Sequence, residues 1–237
     1  MKKKILSLTL VVCLLAIAVV GGTMAYFTDT DSAKNVMTMG NVNIVQNETD
    51  KDGEAFVQNQ PLMPMVDTRA EGDAVVVDGF FNEAMKNVID KVVTVKNEAP
   101  ANAVNQDAYV RTVLAFETQR HYAEGSSEKF TDMFDEYIGV LGDFDVLDEY
   151  ITVDGVEYRL AVKVYDKALV PQEESAASLK QVFLAPTANN EVMDIFGAEY
   201  TILAVSQATQ TTGFANAAEA LDTAFGAVNA ANAAAWF

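Results

Sequence analysis

Apolar residues recur at every second position in several separate stretches of this chain, and that two-residue period predicts β-strands. Residues 108–117 (AYVRTVLAFE) form the densest run, β-branched and aromatic throughout. Residues 88–96 (VIDKVVTVK) alternate in their second half, and 179–184 (LKQVFL) and 199–208 (EYTILAVSQA) read as two further strands. Residues 150–153 and 156–165 flank Asp154-Gly155, a pair suited to a two-residue hairpin turn. A short strand at 74–77 closes on Asp78-Gly79, while Pro61 and Pro64 argue against a central strand just before it. Near the start, Val36, Met37, Met39, Val42, Ile44 and Val45 mark one more strand, and the N-terminal strand is expected to span 26–45. The polar stretch 46–54 (QNETDKDGE), the Asn- and Pro-containing 97–107, the acidic 139–150 and residues 169–178 are expected loops.

Two stretches carry a helical period instead. Phe130, Met133, Phe134 and Tyr137 fall at i, i+3, i+4 and i+7, in a helix that Ser126 or Ser127 can cap and that runs to about residue 138. Phe214, Ala217, Ala218, Leu221 and Phe225 mark an amphipathic helix that Gly226 can stop. With the Ala/Asn-rich tail, this makes 213–235 a helical segment, ahead of the closing aromatics Trp236 and Phe237. Residues 190–197 read as a turn or a single helical turn. Many strands, few helices and no βαβ alternation predict a mainly β protein. The expected form is an antiparallel two-sheet jelly roll or β-sandwich with a few short helices.

The first 25 residues do not fit that domain. Lys2, Lys3 and Lys4 precede an apolar run over 5–20, and small residues follow it. This is the pattern of a secretory signal peptide, with Thr23 at −3, Ala25 at −1 and Tyr26 as the first residue after the cut. The apolar run is short of the ~20 residues that span a bilayer. Cys13 lies inside it after Val12, without the small residue that precedes a lipidated cysteine. The expected organisation is therefore a cleaved segment 1–25 and one secreted domain over 26–237.

Charge narrows the partners. Loss of 1–25 removes three lysines and no acid, which takes the net charge from −18 to −21. Such a chain repels nucleic acid and anionic lipid, so neither is expected as a partner once the segment is cut. The single cysteine also leaves, and with it any disulfide or thiolate chemistry. His121 is the only histidine, so a His-Glu-x-x-His zinc site cannot be assembled; a solvated loop residue is the simpler reading. Asp50, Asp52 and Glu54 look like a short calcium loop, but Gly53 comes too early and Pro61 stands where the twelfth-position glutamate belongs. Weak calcium binding is the most they suggest, and no cofactor is expected. Arg111 sits among apolar neighbours; it either pairs with a buried carboxylate or points outward on the alternate face of its strand, the second being the commoner placement of a charged residue.

The sequence GGTMAYFTDTDSAKNVMTMGNVNI, with its small residues before the cut, an aromatic after it, an acidic turn and a Gly-Asn-x-x-Ile-like strand, resembles the TasA/camelysin proteins of Gram-positive bacteria. DKVVTVKNEAPANAVNQDAYVRTVLAFE resembles a strand pair of that family, and SLKQVFL with EYTILAVSQATQTTGFANAAEALDTAFG its C-terminal block. The resemblance implies a jelly roll, processing by a signal peptidase of the SipW type, and assembly of a structural subunit into a head-to-tail filament of the cell surface or biofilm matrix. Tyr26, Phe27, Val42 and Ile44 are then the expected residues of an N-terminal strand donated to the next subunit. Other matrix proteins or polysaccharide are possible further partners. Two alternatives stand beside it: a monomeric surface module that binds protein or polysaccharide, and a camelysin-like metallopeptidase. Enzyme activity is not expected, because the histidine supply is too small.

The exported protein is expected to begin at Tyr26, and N-terminal sequencing checks this directly. Ala25→Arg places a large cation at −1 and should leave the precursor uncut.

Overall fold

A computed structural model of the chain describes residues 34–37, 42–58, 60–102, 106–119, 133–189 and 200–237. In chain order the strands are β1 (Lys34–Met37), β2 (Ile44–Thr49), β3 (Val66–Asp67), β4 (Val76–Val77), β5 (Phe80–Phe81), β6 (Met85–Lys86), β7 (Val88–Asn97) and β8 (Ala108–Gln119), then β9 (Ile138–Gly142), β10 (Asp145–Val153), β11 (Val156–Leu169), β12 (Leu179–Leu184) and β13 (Ile202–Gln210). The helices are α1 (Met133–Tyr137), α2 (Ala217–Phe225) and α3 (Ala230–Ala233). The protein is mainly β, with antiparallel sheets and few helices. A five-stranded sheet runs β1-β13-β8-β11-β10 and a four-stranded sheet runs β2-β7-β12-β9. The small ladders β3-β6 and β4-β5 lie in the connection between β2 and β7.

Alternation decides which residue faces which layer. On β8, Val110, Leu114 and Phe116 face the four-stranded sheet. Phe116 joins Val93 of β7 and Leu179, Val182 and Leu184 of β12 in one buried cluster, and Val110 joins Ile44 and Val95 in another. The Phe116 ring stacks on Phe134 of α1 at 4.5 Å. The opposite face of the same strand is covered too. Val113 and Ala115 pack with Leu160 of β11, Leu203 and Val205 of β13, and Ala233 and Trp236 of the C-terminal segment. Burial on both faces explains why residues 202–209 of β13 are all buried, a continuous pattern in place of an alternating one.

Local chemistry sets the element ends. Asp154 and Gly155 between β10 and β11 have φ of 50° and 83°, and Asp78 and Gly79 between β4 and β5 have 53° and 82°. Paired positive φ values are those of a tight hairpin turn, and Asp-Gly tolerates them. The Asn216 side chain accepts from Glu219 N–H to start α2, Gly226 ends it at φ 86°, and the Asn229 side chain accepts from Asn232 N–H to start α3.

Several expectations need correction. The stretch 139–150 is not a loop: it holds β9 and most of β10, each the outermost strand of its sheet. Edge strands carry acidic side chains because their outer groups stay solvated; Asp143, beside β9, pairs with Lys163 at 2.6 Å. The expected loop 46–54 is strand as far as Thr49. The single expected N-terminal strand is two strands in two different sheets, β1 and β2. Only 133–137 of the expected first helix is described; Ser126, Ser127, His121 and residues 190–197 lie outside the described residues, as do residues 1–33.

Trp236→Ala removes the aromatic lid over the outer face of the five-stranded sheet. It is expected to cost about 3 kcal/mol, read as a lower urea midpoint at unchanged slope, whereas a solvated tail would change stability by less than about 0.5 kcal/mol.

Candidate functional site

Polar groups converge on β13 from both faces, and β13 is the strand on which β1 lies. The pairing is parallel and four residues long: Lys34 opposite Val205, Asn35 opposite Ser206, Val36 opposite Gln207 and Met37 opposite Ala208. It is the one parallel pairing among the named strands described; all the others are antiparallel. Parallel ladders are slightly less stable per residue than antiparallel ones.

On the outer face, Gln207 stands opposite Arg111 of β8. The Arg111 side chain is 1% exposed. Its Nε donates to Gln207 Oε1 at 2.7 Å, one terminal nitrogen donates to Asp222 Oδ1 at 2.8 Å and the other to the Gly226 carbonyl at 2.8 Å. The Trp236 ring lies 5.1 Å and the Phe225 ring 5.8 Å from the guanidinium carbon. The cation therefore ties β13 to the end of α2, where carbonyl oxygens carry partial negative charge. Burial lowers the Arg111 pKa, and the hydrogen bond and charge of Asp222 oppose that shift. Gln207 Nε2, also buried, has no hydrogen-bond partner among the described residues.

On the inner face, Ser206 Oγ donates to Gln46 Oε1 at 2.6 Å. Gln46 Nε2 donates to Glu48 Oε1 at 2.8 Å, and Lys91 Nζ donates to Glu48 Oε2 at 2.8 Å. Lys91 is buried beneath the Phe56 ring, 4.3 Å from its centroid. This chain of polar groups crosses the core from β13 to β2 and β7. Further along the same pair of strands, Glu174 accepts from the Thr94 hydroxyl and from Asn47 Nδ2 at 3.0 Å. Those two hydrogen bonds, Thr94 first, hold its carboxyl below the usual carboxylate range.

The sites expected from sequence fall as follows. Thr23, Ala25, Tyr26 and Phe27 lie outside the described residues. Val42 and Ile44 are buried in the core with Val95 and Val110, so they belong to the β2 region and not to the segment that lies on β13. Asp50 Oδ1 accepts the backbone N–H groups of Asp52 and Glu54, both at 2.9 Å, which makes 50–54 a tight turn closed by the Thr49–Ala55 bridge. Lys51 in that turn pairs with Glu83 at 3.0 Å. Among the described residues, no three His, Cys, Asp or Glu side chains gather where a metal ion could be held. A cavity of about 20 Å³ beside Leu62, Ile89, Lys91 and Tyr200 has room for roughly one water.

No family model, curated protein or solved structure matches this chain. Its site is therefore read from its own geometry. Gln46, Glu48, Lys91, Ser206, Gln207 and Asp222 were not singled out by the sequence reading. One signal was present: Lys91 shares strand parity with Ile89, Val93 and Val95, the apolar face of its strand. Of the two placements open for Arg111, the less common one is found: it is buried and paired with a carboxylate, because a helix from the far end of the chain covers its face of the sheet.

Arg111→Met leaves Gln207 Oε1 and the Gly226 carbonyl without a donor and is expected to cost about 2–4 kcal/mol in chemical denaturation. Asp222 is half exposed, so Asp222→Asn should cost under about 1 kcal/mol.

Proposed function

We propose that this protein is a secreted structural subunit of a cell-surface or biofilm-matrix filament, and that subunits join when the N-terminal strand of one adds to the β13 edge of the next. The observation that carries the reading is the β1·β13 pair: four residues, parallel, at a sheet edge, and separated from the core strand β2 by residues 38–43. Withdrawal of so short a strand exposes backbone N–H and C=O groups along β13, and a strand from another molecule can satisfy them. Donor and acceptor are different surfaces, so the contact is heterologous and extends head to tail into a filament when the rotation between subunits does not close a ring. Cleavage after Ala25 frees the donor end. The TasA/camelysin resemblance agrees with this reading, with a signal peptidase of the SipW type as the processing enzyme.

The finer architecture we read as a jelly roll. Chain passages β7 to β8, β8 to β9, β11 to β12 and β12 to β13 each cross from one sheet to the other, and the orders β1-β13-β8-β11 and β7-β12-β9 face one another across shared clusters. An all-antiparallel jelly roll has no place for a parallel β1, which favours a replaceable strand at that position. A surface-binding module is the second reading, favoured by the hairpin of β4 and β5. It leaves Val75, Val76 and Val77 between 42% and 47% exposed, beside a surface cleft of about 500 Å³.

Electron microscopy of residues 26–237 tests the assembly. Filaments are expected, and a chain starting at residue 38 should fold, with unchanged far-ultraviolet circular dichroism, yet form none. A synthetic peptide of residues 26–37 added in excess should stop growth. Equal filaments from both chains would remove the strand-addition reading.

A further inference from the structure

The inner polar network contains an amine, a carboxylate and a primary carboxamide in hydrogen-bonded sequence, all shut away from water. The Lys91 side chain is buried under the Phe56 ring, and its Nζ donates to Glu48 Oε2 at 2.8 Å. The other oxygen of that carboxylate accepts from Gln46 Nε2, also at 2.8 Å. The Glu48 and Gln46 side chains are themselves almost completely buried. On its far side the Gln46 carboxamide is held by two more groups: Ser206 Oγ donates to Oε1 at 2.6 Å, and Nε2 reaches the Ala204 carbonyl at 3.5 Å.

The geometry points to a covalent cross-link: Lys91 Nζ attacks Gln46 Cδ, forming an isopeptide bond between β7 and β2 and releasing ammonia. Each group has one task. Glu48 Oε2 takes a proton from the Lys91 ammonium along their hydrogen bond, which leaves an amine with a free electron pair. The Nζ–Cδ bond forms, and the carbonyl electron pair moves onto Oε1, where the Ser206 hydroxyl donates to the developing oxyanion. Glu48 passes its proton to Nε2 as the Cδ–Nε2 bond breaks, and the electron pair of that bond leaves with the nitrogen as ammonia. A second proton from Nζ then returns to Glu48. The products are a secondary amide, ammonia and a neutral Glu48 carboxylic acid. Protons and charge balance, and no oxidant, metal or nucleotide is required.

Several features favour an amide over a plain ion pair. A buried ion pair is a costly way to join two strands, and the reaction replaces both charges with neutral, hydrogen-bonded groups. The fold supplies the alignment in advance. Gln46 and Glu48 are two residues apart on β2 and face the same way. Glu48 stands opposite Val93 on β7, so Lys91 is its diagonal neighbour. Nζ has only to swing from Oε2 toward the amide held by the same carboxylate, and groups so confined react as if at very high concentration. The exclusion of water keeps hydrolysis from competing. The cavity of about 20 Å³ lined by Lys91 has room for the departing ammonia, a molecule the size of water. The position of the link is also informative. β2 is the outermost strand of its sheet and follows β1 in the chain, so a pull on the N-terminal strand falls first on the β2·β7 ladder. A covalent bond from Gln46 to Lys91 stops that ladder from unzipping. The chemistry itself does not depend on the filament reading.

Intact-mass spectrometry of the exported, folded protein tests this. With the N-terminus determined, the mass is expected to fall below that of the sequence by one ammonia, and digestion should give a branched peptide joining Gln46 to Lys91. Folded protein at full mass overturns the proposal. So does the loss of one water with Glu48 as the branch point, which would make Glu48 the electrophile, and so does an ammonia loss that maps elsewhere. Gln46→Leu removes the electrophile but keeps an apolar filling for the site. It should fold, with unchanged far-ultraviolet circular dichroism, and stay at full mass; ammonia loss from that variant overturns the assignment. Ser206→Ala leaves all three reacting side chains in place. In pulse-labelled chains it should slow the mass change about a hundredfold, and an unaltered rate overturns the mechanism.

Discussion

A guanidinium placed in the middle of a β-sheet must be satisfied by whatever covers that sheet, and in this protein the cover comes from the opposite end of the chain. Arg111 lies in β8, between the two strands that form the bulk of the five-stranded sheet. Its partners are a side chain of β13 and the last turn of α2. If α2 were absent, the charge would be stranded on an otherwise apolar face beside Val113 and Ala115. The interaction therefore does more than add a few hydrogen bonds. It selects one placement of the helical segment, and through Gln207 it fixes the position of β13.

The inner network constrains the same strand from the other side. Ser206 is next to Gln207 in sequence and faces the opposite way, toward Gln46, Glu48 and Lys91. A one-residue slip of β13 would place Ser206 under α2 and Gln207 in the core, breaking both networks together. This strand has buried apolar side chains on both faces, so hydrophobicity alone specifies its register weakly. The polar groups supply the specificity. A rigid β13 next to a short, parallel β1 is a firm edge beside a weakly held neighbour, and that contrast underlies the assembly proposal.

Much of this was legible in the sequence, for definite reasons. The strands β7, β8, β11 and β12 and the two Asp-Gly turns were readable because alternation and turn chemistry are local properties. The α2 stripe and Gly226 were readable for the same reason. The misses came from long-range context. Asp145, Asp148 and Glu149 disguised β10 as a loop, since their acidity fits an outermost strand as well as a loop. Gln46 and Glu48 hid the end of β2, because a polar residue on the inner parity looks like a turn until its buried partner Lys91 is known. The outward placement of Arg111 was favoured over pairing with a carboxylate because nothing within β8 announces that Asp222, 111 residues further on, will cover it.

The parallel direction of β1 on β13 has a consequence for any filament built from it. A donor strand running parallel to its acceptor enters every subunit with the same orientation, so the fibre is polar and its two ends differ. At one end the last subunit has no incoming donor while its own strand is engaged in its neighbour, so its β13 edge is open; at the other end the edge is filled and the strand is free. A free subunit, in contrast, is capped by its own residues 34–37. Starting a fibre requires the self-paired strands of two free subunits to be released, while extending one requires the release of only the incoming subunit's strand. Growth of this kind shows a lag and a threshold concentration, which leaves newly secreted subunits dispersed until enough have accumulated.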